Sequence, residues 1–170
     1  MKKLLVLLLS VVLLVAATPI RESDPAPEAK PQPPVLYFGV TEEELIMLAK
    51  TIYGEANGLG MYERSLVCWC ILNRADSGIY GGNTIKEVIL APKQFAGYKA
   101  SHPVTDENVA LAKDVIARWA NESNFIGDSG RTLPKDYTYF YGDGKENHFY
   151  YIEAGNRHYY DYRLEDPYDH

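Results

Sequence analysis

Cysteine is nearly absent from this chain: Cys68 and Cys70 are the only two among 170 residues. They flank Trp69 in a helical pattern, where residues two apart point to different faces. That argues against a disulfide framework even in an oxidising compartment and reads as small buried residues. Histidine is also sparse. His102, His148, His158 and His170 are scattered, with no HExxH-type spacing, so no zinc site is legible. Basic residues are outnumbered, 17 Lys+Arg against 23 Asp+Glu, for a formal charge of −6. This excludes non-specific nucleic-acid binding, which depends on cations neutralising phosphates. No apolar run reaches the roughly 20 residues of a membrane-spanning helix, and no repeat of solenoid length is present.

What the chain does have begins with a targeting signal. Lys2 and Lys3 precede an apolar run from Leu4 to Ala17, broken only by Ser10 and ending in small residues. This is the form of a secretory signal peptide over residues 1–17, cleaved after Ala17 or kept as a membrane anchor. Its removal takes both lysines with it and leaves the remainder more acidic still. Residues 18–35 then hold six of the ten prolines among charged side chains. Such a segment lacks the apolar content for a core and reads as an extended tether.

A folded domain is expected over residues 36–170. Thr41-Glu42-Glu43-Glu44 has the form of a capping box, and Leu45, Leu48, Ala49 and Ile52 follow at helical spacing. The spacing predicts a helix from Glu42 to Gly54. A second is predicted from Met61 to Arg74, with Leu66, Val67, Cys70 and Ile71 along one stripe. Thr84 caps a short third helix through Leu90, and a fourth opens at Thr105 and stops near Asn121. Short β-type runs follow at Tyr137–Tyr141, His148–Ile152 and His158–Tyr162. Gly142-Asp143-Gly144 and Gly155-Asn156 separate them as turns. The fold class is α+β: a helical core with a short antiparallel β-sheet near the C-terminus.

The chemistry points to Ala49-Lys50-Thr51-Ile52-Tyr53-Gly54-Glu55-Ala56-Asn57-Gly58. An apolar helical stripe delivers a glycine, where another group can approach, and then a carboxylate. Beside Ile52, Tyr53 and Ala56, the Glu55 carboxyl is expected to lose water, which disfavours its charged form and raises its pKa. A carboxyl that keeps its proton near neutral pH can protonate a glycosidic oxygen. Glu63, Asp76, Asp128, Asp136 and Asp143 are available as second carboxylates, and no spacing singles one out. Nine of the fourteen tyrosines lie after Asp136. Alternation along strands would bury one face and present the other to sugar rings.

Several of these stretches resemble the SleB-like cell-wall hydrolase family, which includes spore-cortex-lytic enzymes. The matching pieces are LAKTIYGEANG (Leu48–Gly58), VCWCILNRADS (Val67–Ser77), TIKEVI (Thr84–Ile89) and QFAGY (Gln94–Tyr98). YFYGDGK (Tyr139–Lys145) and GNRHYY (Gly155–Tyr160) look like the family's tyrosine-rich closing strands. The resemblance implies a small lysozyme-like domain related to lytic transglycosylases. It also implies secretion to the cell wall and cleavage of peptidoglycan between N-acetylmuramic acid and N-acetylglucosamine. The family's catalytic glutamate falls on Glu55, and the expected substrate contacts are Tyr53, Gln94, Phe95, Tyr139, Tyr141, His158 and Tyr160. A family histidine is replaced by Tyr141, and the His-aromatic motif occurs twice, at His148 and at His158. Asn73 and Arg74 read as structural residues closing the second helix. No metal or cofactor is implied, peptidoglycan is the expected partner, and a monomer is the default. The competing readings are an N-acetylmuramoyl-L-alanine amidase and a non-catalytic sugar-binding wall protein.

Overall fold

A computed structural model describes residues 35–37, 39–123, 130–161 and 168. All of them belong to the unit Gln32–His170. The signal segment and, apart from Val35, the tether lie outside the described residues.

The order of elements is β1 (Val35–Tyr37), β2 (Val40–Thr41), α1 (Glu42–Ala56), α2 (Met61–Ser77), α3 (Ile85–Leu90), α4 (Asp106–Ser123), β3 (Tyr139–Gly142), β4 (Asn147–Glu153) and β5 (Asn156–Tyr159). The fold is α+β, four helices with a three-stranded antiparallel sheet near the C-terminus. The small β1–β2 hairpin was not legible in the sequence.

Local chemistry accounts for the helix starts. Thr41 Oγ1 accepts from Glu44 N (3.2 Å) while Glu44 Oε2 accepts from Thr41 N (3.1 Å), completing a capping box on α1. Thr84 and Glu87 repeat this exchange on α3. Thr105 Oγ1 accepts from Asn108 N at the start of α4. Gly78, at φ 69°, ends α2 in the left-handed conformation that glycine adopts without a Cβ penalty.

Helix α2 is the axis of the core. An amphipathic stripe was expected, but Leu66, Val67, Cys68, Trp69, Cys70, Ile71 and Leu72 are all fully buried. The helix is covered on every side, by α1, α3 and α4 and by the sheet. Both cysteines are free thiols, and burial pushes Cys70 up to about 11, so they act as small apolar residues.

Alternation divides the sheet as expected. Phe140 and Phe149 face the core with ring centroids 5.3 Å apart, and Phe149 is fully buried. Tyr139, Tyr141, Tyr150 and Tyr159 share the opposite face. The first strand starts later than Tyr137, and α2 supplies the reason. The carbonyls of Tyr137 and Thr138 accept from Asn73 Nδ2 (3.0 Å) and Arg74 Nε (2.6 Å), not from a strand partner. The last strand is also shifted, because the turn lies at Ala154-Gly155, with φ of 48° and 83°. Glu153 pairs with Asn156 across it, a two-residue turn of the type that matches strand twist. Tyr162 lies outside the described residues.

Candidate active site

The helix that carries Glu55 runs two residues past the predicted end, so Glu55 sits in the last turn of α1. Its side chain is half-buried, and Oε1 accepts from Gly97 N at 2.7 Å. Burial pushes the Glu55 carboxyl above its ordinary value. The Gly97 N–H and, more weakly, the charge of Arg74 pull in the other direction.

Two glycines make that hydrogen bond possible. A Cβ on Gly97 would lie 2.6 Å from Gly54 O and 2.8 Å from Glu55 Cδ. A Cβ on Gly54 would be driven into the Gly97 carbonyl, 2.5 Å from its carbon, and would meet His102 Cε1 at 2.8 Å. The backbones of α1 and the 94–98 segment therefore touch where both lack side chains. Phe95 to Tyr98 is a tight turn, with Tyr98 N donating to Phe95 O at 3.2 Å. Lys50 Nζ donates to Ala100 O at 2.6 Å, which fastens the following residues to the same helix.

The opposite wall comes from the β3–β4 turn. A cavity of about 220 Å³ is lined by Gly54, Glu55, Ala56, Asn57 and Leu59 on one side, and by Gly142, Gly144, Lys145, Glu146 and Asn147 on the other. Asn147 joins the two sides. Its Nδ2 donates to Glu55 O (3.3 Å), and its backbone N–H donates to Glu63 Oε1. Burial raises the Glu63 carboxyl as well, opposed by the Asn147 N–H and reinforced by the charges of Glu146 and Asp143. Asp143 Oδ1 accepts from Lys145 N (2.8 Å) and Glu146 N (3.0 Å), while Oδ2 pairs with His148 Nε2 (2.9 Å). Asp143, Glu146 and His148 bring possible ligand atoms within 4.8 Å of one another. These contacts already account for the Asp143 carboxylate as the brace of its turn.

The other expected site residues do not line the Glu55 cavity. Tyr53 is half-buried on α1, its ring 5.2 Å from that of His102. Gln94 directs Oε1 to Arg74 Nη1 at 2.8 Å. Phe95 is a core residue, 6% exposed, lying against Phe140 and beneath the Arg74 guanidinium. A ring so enclosed backs the site and cannot stack on a sugar. Tyr160 is likewise enclosed: its hydroxyl meets Tyr62 OH (2.9 Å) and donates to Thr132 O. His158 stacks on Tyr151, with centroids 4.7 Å apart, toward the β4–β5 turn. Tyr139 lines a hollow with Tyr80 and Tyr151. Tyr141, 42% exposed, lines another with His148 and Tyr159 and directly precedes Gly142 of the Glu55 cavity.

Sequence reasoning missed Gly97, Asn147, Glu146 and Arg74. Gly97 of QFAGY makes a close backbone approach whose target on α1 has no trace in local spacing. Arg74 looked sufficient as a helix-terminal cation and is instead buried beside the site.

No curated protein and no solved structure matches the chain. A family model described as cell wall hydrolase matches residues 60–160, from the start of α2 to the end of the sheet. Glu55 precedes the matched stretch, so its role stands on the motif and the cavity. The match spans more than half of the chain and includes the helix that forms the core axis and the turn that faces Glu55, and the chain accordingly belongs to the cell wall hydrolase family, with peptidoglycan as its substrate.

Proposed function

We propose that the protein cuts peptidoglycan glycan strands between N-acetylmuramic acid and N-acetylglucosamine as a lytic transglycosylase, with Glu55 as acid and then base. The observation that carries this reading is the state of Glu55 in its cavity. Burial favours its protonated form, and Gly97 N–H holds Oε1, leaving Oε2 to bear the proton. In the first step Glu55 gives that proton to the bridging oxygen as the bond from the muramic C1 to that oxygen breaks. In the second, the muramic 6-hydroxyl attacks C1 and passes its proton to the Glu55 carboxylate. A 1,6-anhydro ring closes and Glu55 is restored without water. The Gly97 N–H, which favours the carboxylate, supports the first step, in which Glu55 gives up its proton and becomes charged. Tyr141, beside the cavity rim, is placed to meet a neighbouring sugar through its exposed ring.

One observation favours a second reading. Glu146 lines the same cavity from the facing turn, and ordinary hydrolysis uses a pair of carboxylates. Mass spectrometry of fragments released from purified peptidoglycan separates the two. Anhydro-muramic ends support the transglycosylase. Reducing muramic ends support hydrolysis with Glu146, and freed peptides on intact glycans would overturn both.

A further inference from the structure

We infer that Arg74 is the positioning residue of Glu55: it fixes the Gln94–Gly97 segment whose backbone N–H holds the carboxyl. The inference rests on the reading of Glu55 as the acid. Arg74 is 4% exposed in the last turn of α2. Its Nε donates to Thr138 O at 2.6 Å and its Nη1 to Gln94 Oε1 at 2.8 Å. The guanidinium carbon lies 4.8 Å from the Phe95 ring centroid and 5.3 Å from that of Tyr80. One rigid fork thus clamps two consecutive residues, Gln94 by a hydrogen bond and Phe95 by its ring face. Phe95 opens the tight turn that presents Gly97 N–H to Glu55 Oε1.

A second, half-buried guanidinium shows what is unusual here. Arg131 lies 4.3 Å over the Trp69 ring and pairs with Glu122 at 2.6 Å, so its charge is neutralised where it sits. The hydrogen-bond partners of Arg74 are a carbonyl, an amide and the Cys70 thiol, none of them a carboxylate. Burying a cation without a carboxylate partner is costly, and such a cation favours an anion formed nearby. The nearby group is Glu55, whose charged form, created when it gives up its proton in the first step, Arg74 favours. Arg74 touches neither Glu55 nor the cavity and acts through the loop and through its field.

The test compares R74M, R74K and R131M on soluble glycan fragments, with rates normalised to the folded fraction. Displacing a reacting group by ~1 Å costs on the order of 10²-fold. R74M is expected to lose about that much in kcat, with KM within about threefold. R74K, which keeps the charge and one donor, is expected to recover part of the loss. The groups around Glu55 are Arg74 from α2, Glu63 at the start of α2, His102 beside Gly54, and Lys145 and Glu146 across the cavity. Only Arg74 changes in R74M, so Glu55 holds its proton to higher pH and the alkaline limb of the rate profile moves upward. R131M lowers stability, with kcat per folded molecule and the pH profile unchanged. A kcat loss in R74M no larger than in R131M, with an unmoved profile, would overturn the inference. If R74M does not fold, Q94L removes only the acceptor: lost kcat with steady KM supports the inference, and unchanged kcat overturns it. An active Glu55→Gln variant would remove the reading beneath the proposal. An inactive one beside an unimpaired R74M would remove the proposal alone.

Discussion

Replacing Gly54 by alanine reverses the usual sign of a glycine-to-alanine change in a helix. At an ordinary helical position the substitution stabilises by about 0.5–1 kcal/mol, because glycine loses more backbone freedom on folding. Gly54 lies in the last turns of α1, yet its missing Cβ is the space occupied by the Gly97 carbonyl and approached by His102. The neighbour on the closest side is backbone, held by the Phe95–Tyr98 turn, so it cannot swing away as a flexible side chain would. Inserting a methyl into such a contact costs about 1–3 kcal/mol. The net effect is a loss of roughly 0–2.5 kcal/mol, or a fall in Tm of several degrees at about 2–8 °C per kcal/mol. The same displacement lengthens the Gly97 N–H to Glu55 bond, and kcat should drop on the order of 10²-fold. Thermal unfolding and steady-state cleavage of soluble glycan fragments read the two effects. A G54A protein with raised Tm and kcat within twofold of the unmodified enzyme would refute the close-contact account.

Further predictions follow from other features. Glu55 holds its proton to a higher pH when folded than when unfolded, so its contribution to stability is full below the ordinary value of 4.5 and is lost as pH rises through the folded value. Glu55→Gln should therefore have the higher Tm at neutral pH, with the gap closing in acid, as calorimetry at several pH values would show. Ala154 occupies φ 48°, where a side chain costs roughly 1–2 kcal/mol, so A154G should raise Tm modestly without altering kcat. Cleavage should survive a strong chelator. Its loss, with restoration by zinc, would favour an amidase built on Asp143, Glu146 and His148.

The helical half of the fold was legible because its signals are local. Thr41 with Glu44, and Thr84 as a cap, announced two helix starts to the residue. The C-terminal sheet was legible as three short antiparallel β-type runs but not in its boundaries. Those boundaries depend on Asn73 and Arg74, which take carbonyls the first strand would otherwise have shared. Glu55 was readable as a carboxyl at the end of a buried stripe, but its cavity was not. Its opposite wall comes from residues about 90 positions downstream, brought close by the Asn147 bond to Glu55 O. Phe95 and Tyr160 show the converse error. Both lie in motif-like stretches, and sequence does not reveal whether an aromatic ring faces a cleft or a core.

The most direct test of the central claim is the initial rate of glycan release from purified peptidoglycan by Glu55→Gln and by the unmodified protein, with circular dichroism confirming equal folding. General acid catalysis by a positioned side chain contributes about 10²–10⁴-fold, and in the proposed mechanism the same group serves both steps. The account predicts a loss of at least about 10²-fold in Glu55→Gln with its fold intact. A folded Glu55→Gln protein that releases glycan at a rate within a few-fold of the unmodified protein would contradict it.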